Sequence, residues 1–219
     1  MVLGGLAVGM AGKYVAAVQI QPHVKSAEAL EKSMSKPQVI LDIECYKNYF
    51  LAMFYSPLTD SYVWTEQYDG QSLNFNLITK IFEQCEIVTF NGNNYDLPVL
   101  SAAMRSRTTE AIREVSDMII LHDQKPWQIE KRYGKTMQAD HVDLIEVAFG
   151  KSSLKIYGGR LGCKKLQDLP IEPDKILTRD EMTLLREYCK NDVLTTAALL
   201  EKLTPQINLR RSIDRKSVV

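Results

Sequence analysis

The chain has 219 residues, long enough for one well-buried domain and short for two. Its composition, 45% hydrophobic and 25% charged, is that of an ordinary globular protein, and 27 basic residues balance 27 acidic ones. A net charge of zero excludes histone-like binding through bulk positive charge, but not a nucleic-acid enzyme whose acidic metal site and basic groove cancel in the sum.

In chain order, Met1–Val18 is apolar but interrupted by glycines and Lys13, too short and broken to span a bilayer. It also lacks the basic start of an export signal. Residues 1–37 read as an extension ahead of the domain, with a helix expected over Ala27–Met34 and a stop at Pro37. Val39-Ile40-Leu41-Asp42-Ile43-Glu44 is a β-branched run that predicts a buried strand. Phe50–Tyr55 and Tyr62–Thr65 follow as two more, with Pro57 and Asp60 in the turn, so an antiparallel meander is expected. A helical pattern over Ser72–Gln84 puts Leu73, Leu77, Ile78 and Ile81 on one face.

Glu86–Phe90 is a short fourth strand that runs into the loop Asn91-Gly92-Asn93-Asn94, after which Asp96 opens a helix through Ala103. A second helix is expected over Thr109–Leu121. Val142–Val147 reads either as a fifth strand or as a short buried helix. Short helices fit Lys151–Tyr157 and Arg160–Leu169, and a long one runs from Arg179 to about Leu203, ending before Pro205. Residues 205–219 then form a basic tail. This order predicts an α/β domain over residues 38–204, three antiparallel strands with parallel additions, flanked by helices.

Four cysteines, Cys45, Cys85, Cys163 and Cys189, stand far apart without a C-x-x-C pair, which suits a reduced cytoplasmic protein. Two basic runs, Lys151, Lys155, Arg160, Lys164 and Lys165, then Arg210, Arg211, Arg215 and Lys216, read as solvated faces or as contacts for an anionic partner.

Three acidic segments carry the chemistry. Asp42 and Glu44 are two apart on a strand and so share a face. Either the strand ends there and both reach water, or two desolvated carboxylates repel each other and need a cation. Asp96 follows a strand-exit loop, where it is a helix cap or a site residue; Tyr95 before it is a core or a site residue. Tyr188 and Asp192 are one helical turn apart, close to a buried stripe. A strand, a loop and a helix can bring these acids together, and four hard oxygen donors suit Mg²⁺ or Mn²⁺ rather than zinc.

These segments resemble the three signature motifs, D-x-E, N-x-x-x-(F/Y)-D and Y-x-x-x-D, of the DnaQ-like, DEDD-type 3′–5′ exonucleases, in particular the proofreading domains of family B and phage DNA polymerases. The resemblance covers roughly residues 38–204. Glu187 stands where the histidine subclass has its histidine, so the tyrosine (DEDDy) subclass is the one resembled. Cys45 stands where the protein-primed polymerases often have threonine. A ribonuclease-H-like fold is implied, in which the first strand and the last helix meet at the site.

The resemblance further implies two divalent cations, Mg²⁺ or Mn²⁺. Asp42 would bridge them, Glu44 and Asp192 would complete the first site, and Asp96 would hold the second through water. Tyr188 would orient the attacking water. Asn91 and Tyr95 would grip terminal nucleotides, Ser153-Leu154-Lys155 would contact a single strand, and Lys155, Lys164 or Lys165 would reach phosphate. The implied substrate is the 3′ end of single-stranded DNA. An RNA-trimming exonuclease and a silent nucleic-acid-docking module are the other readings. The chain has no room for polymerase palm and fingers, so it reads as a free-standing enzyme or as a partner of a separately encoded polymerase. A cytoplasmic place in a bacterium or phage-infected cell is expected, with no membrane partner.

Overall fold

Alternation of side chains along the first strand sets the architecture of the computed structural model, which describes residues 36–106, 108–150, 152–163 and 168–216. In β1 (Gln38–Tyr46), Val39, Leu41, Ile43 and Cys45 enter one apolar cluster, while Ile40 and Tyr46 enter another on the opposite face. β2 (Tyr49–Ser56) alternates in the same way, sending Phe50, Ala52 and Phe54 to the first cluster and Tyr49, Leu51 and Met53 to the second. A strand buried on both faces has no polar side, which accounts for its nearly unbroken hydrophobic sequence.

β3 (Ser61–Gln67) completes an antiparallel meander with β2 and β1. β4 (Glu86–Thr89) pairs in parallel with the other side of β1, and β5 (Asp140–Asp143) in parallel with β4. The five-stranded mixed sheet therefore has the order β3-β2-β1-β4-β5. The expected helix Ala27–Met34, with all of residues 1–35, lies outside the described residues, as do Lys164 and Lys165.

The first face is covered by α1 (Phe75–Gln84), α2 (Asp96–Ala103), α3 (Thr109–Ile120) and α4 (Pro126–Tyr133), which bury Ile78, Val99, Ile112 and Ile129 in the first cluster. α1 starts at Phe75 rather than Ser72, because the Asn74 side chain accepts the Leu77 amide at 3.0 Å and so caps the helix there. α4 has no counterpart among the sequence expectations. Its signals are local: Pro126 supplies a preset φ at the first helical position, and the Gln128 side chain accepts the Lys125 amide at 2.8 Å.

The second face is covered by α5 (Leu144–Val147), α6 (Leu154–Arg160) and α7 (Arg179–Lys216). Residues 142–147 are neither strand nor helix throughout: β5 gives way to α5 at Asp143, whose side chain accepts the Ile145 amide. The helix expected at 151–157 is found as α6, which starts at Leu154 and runs on to Arg160. Lys151 and residues 164–167 of the helix expected at 160–169 lie outside the described residues. Ser153 caps the start of α6, and Gly162, at φ +70°, follows its end.

The expected stop before Pro205 is also corrected, since α7 continues through that proline to Lys216. Losing one amide donor at an exposed position is outweighed by burial on both sides of it. Leu199, Leu200 and Leu203 before the proline and Ile207 after it all join the second cluster, and Arg211 pairs with Glu86. Among the described residues no helix is long and apolar enough to cross a membrane.

Candidate metal centre

On β1, the positions between Ile40 and Tyr46 on the face covered by α7 are Asp42 and Glu44. The alternation that buries their neighbours therefore half-buries Asp42 and buries Glu44. Glu44 is 9% exposed, and among the described residues nothing donates a hydrogen bond to its carboxylate. Cys189 of α7 lies against the same spot, its thiol donating to Asp42 Oδ2 at 3.3 Å. Ligand atoms of Asp42, Glu44 and Cys189 all fall within 4.8 Å of one another.

Asp96 arrives from the other side of the sheet. β1 pairs with β4 only from Gln38 to Ile40, so its later residues have no strand paired on that edge. The Ile43 amide donates to the carboxylates of Asp96 and of its neighbour Asp42, and Asp96 also accepts its own backbone amide at the start of α2. The preceding loop is tight. Asn91 adopts φ +65°, Leu97 donates to the Gly92 carbonyl at 3.0 Å, and a Cβ at Gly92 would run into the Thr89 side chain. Asp143, buried at the end of β5, fastens this loop by accepting the Asn91 amide at 2.6 Å and the Asn93 amide at 2.9 Å.

Asp192 and Tyr188 come from α7, and the Tyr188 hydroxyl donates to the Asp192 carboxylate. Electrostatics ties the four acids together. Burial pushes Asp42 well above the usual carboxylate range, and the charges of Asp96 and Asp192 raise it further, against the Cys189 thiol and the Ile43 amide. Glu44 is pushed well up by burial and then by Asp42, Asp192 and Asp96. Asp96 is raised to about 7, chiefly by burial, with its own amide opposing and the Asp143 charge adding. Burial brings Asp192 to about 6, against donation from Tyr188 and Asn191. Among the described residues no lysine or arginine offsets this charge.

Asp42 and Glu44 belong, with Cys189, to the one close cluster of ligand atoms among the described residues, and Asp96 and Asp192 lie outside it. Buried and half-buried acids so placed, without a counter-charge, could serve a hard divalent cation. A single acid on a helix end would be an ordinary cap. Acids from β1, from the β4–α2 loop and from α7, of which Asp96 and Asp192 oppose the ionisation of Asp42 and Glu44, are not.

The remaining sequence candidates are placed as follows. Asn91 accepts from the Asn94 side chain at 2.7 Å through Oδ1. The Tyr95 hydroxyl meets Ser116 Oγ at 2.9 Å and its ring packs on the first cluster, so it is engaged with α3. Ser153 caps α6, Leu154 is half-buried against the second cluster, and Lys155 pairs with Asp168 at the surface. Asp143 and Cys189 escaped sequence reasoning as parts of the centre. Asp143 acts on amides some fifty residues earlier in the chain, which leaves no local signal. The signal for Cys189 was present, because it sits between Tyr188 and Asp192 on a helix.

A scan of the sequence against protein-family models finds no match, and neither does a search of curated proteins.

Proposed function

We propose that the protein is a metal-dependent 3′–5′ exonuclease of the DnaQ-like, DEDDy type, with a ribonuclease-H-like fold, that hydrolyses phosphodiester bonds at the 3′ end of single-stranded DNA. The observation that carries this reading is the effect of the Asp96 and Asp192 charges on Asp42 and Glu44, four acids from three separated segments that are each raised in pKa chiefly by burial. The mixed sheet with helices on both faces is compatible with that fold.

Asp42, Glu44, Asp96 and Asp192 would hold Mg²⁺ or Mn²⁺. When bound, such cations supply an activated water and neutralise charge on the attacking and leaving oxygens. The protein's own contribution is positional. Ile43 holds Asp96 through its amide, Cys189 fixes Asp42 Oδ2, and Asp143 holds the loop ahead of Asp96. Burial and the acids around it hold the Tyr188 hydroxyl protonated at neutral pH, so Tyr188 acts as a hydrogen-bond donor and not as a base.

The test is Asp42→Ala assayed on matched single-stranded DNA and RNA oligonucleotides. We expect the variant to stay folded and to lose metal-dependent digestion from the 3′ end, by at least a hundredfold. Retained digestion overturns the assignment, and preference for the RNA strand moves the enzyme to the RNA-trimming reading. Running the assay with and without an added DNA polymerase tests for a proofreading partner.

A further inference from the structure

We infer that the centre includes a mixed oxygen–sulfur subsite, Asp42, Glu44 and Cys189, that captures a thiophilic divalent cation such as Zn²⁺ or Cd²⁺. The inference rests on Asp42 and Glu44 being metal ligands, as in the proposed function, and is independent of which strand is cut.

Three observations meet at this spot. The Cys189 sulfur is fully buried and 3.3 Å from Asp42 Oδ2. An oxygen and a sulfur bound to one tetrahedral zinc, at bond lengths near 2.1 and 2.3 Å, lie about 3.6 Å apart, so this pair already has the spacing of two ligands. Glu44, nine-tenths buried, aims a carboxylate without a hydrogen-bond donor into the same cluster. The widest pair among the three ligand atoms is within 4.8 Å, so closure onto one ion requires a shift of about 1 Å.

The chemistry is an exchange of a proton for a metal. The Cys189 S–H bond breaks, its proton passes to solvent, and an S–metal bond forms with no change in oxidation state. Asp42 Oδ2, which had accepted the thiol proton, becomes free to ligate the same ion. A hard cation gains little from sulfur, so Mg²⁺ leaves the thiol protonated and uses the carboxylates alone. The sulfur thus distinguishes cations that oxygen donors alone would rank only by general affinity.

The experiment is a titration of cadmium chloride into the full chain, held reduced with a non-thiol reductant, read by the ultraviolet sulfur-to-cadmium charge-transfer absorbance. Wild type is compared with Cys189→Ser and Glu44→Gln, each checked for fold by circular dichroism. The expected result is a band saturating near one equivalent in wild type, absent from Cys189→Ser, with the midpoint raised at least tenfold in Glu44→Gln. A band of equal strength in Cys189→Ser would assign it to the other three thiols and overturn the inference, as would an unchanged midpoint in Glu44→Gln. Because no substrate is present, a negative titration leaves the nuclease reading standing, and a failed digestion assay leaves this one standing.

Discussion

Asp96 separates charge from shape. Its carboxylate accepts the Ile43 amide and its own amide, and an asparagine oxygen at the same position can accept both. Asp96→Asn therefore keeps the hydrogen bonds and removes the buried charge. The folded-state pKa is raised from 3.8 to about 7, so the native protein binds the Asp96 proton more tightly than the unfolded chain does. Metal-free stability is then lost as pH rises through the window from about 4 to about 7, and below that window the penalty vanishes. Urea unfolding in the presence of a chelator should find Asp96→Asn more stable than wild type at pH 8, by something on the order of 2 kcal/mol. The difference should shrink toward zero near pH 4. A difference independent of pH would mean that burial does not oppose the charge at Asp96.

At the scale of elements, α7 decides where the domain ends. Ile207 lies beyond Pro205, yet it is buried in the second cluster with Leu199, Leu200 and Leu203. Ile207→Ala should cost about 2–4 kcal/mol by denaturant unfolding, as a core truncation does, where a residue in a solvated tail would cost almost nothing. Proline is a strong local stop signal, and here the packing of one helix face overrides it. The same contrast separates what was legible in the sequence from what was not. β1 and β2 are long, nearly unbroken apolar runs and α1 carries a helical hydrophobic pattern over ten residues, so their existence and type could be read directly. β5 and α5 are four residues each, too short for either period to emerge, and they share Asp143 as the hinge between them. The three acidic segments were legible because their residue types are costly to bury. Their meeting was not, because it depends on three segments far apart in the chain packing around β1, which no local pattern reports.

For the whole molecule, the sheet brings together groups whose joint ionisation opposes folding. Asp42 and Glu44 hang from the centre of the sheet, Asp96 comes from the first face and Asp192 from the second. Both layers must therefore close for the acids to approach, and closing them raises every one of the four pKa values. A divalent cation that binds only the closed arrangement reverses that cost, stabilising the native state by RT ln(1 + [M]/Kd). In a chain of this size each kcal/mol is worth about 2–4 °C in melting temperature. Millimolar Mn²⁺ or Mg²⁺ at pH 8 should therefore raise the melting temperature by several degrees, read by differential scanning fluorimetry. Protons compete for the same oxygens, and Asp192 and Asp96, raised to about 6 and 7, are largely protonated at pH 5. The metal-dependent shift should fall sharply there, and it should be lost at both pH values in Asp42→Ala. A shift of equal size at pH 5 and pH 8 would point to cation binding at groups other than these four.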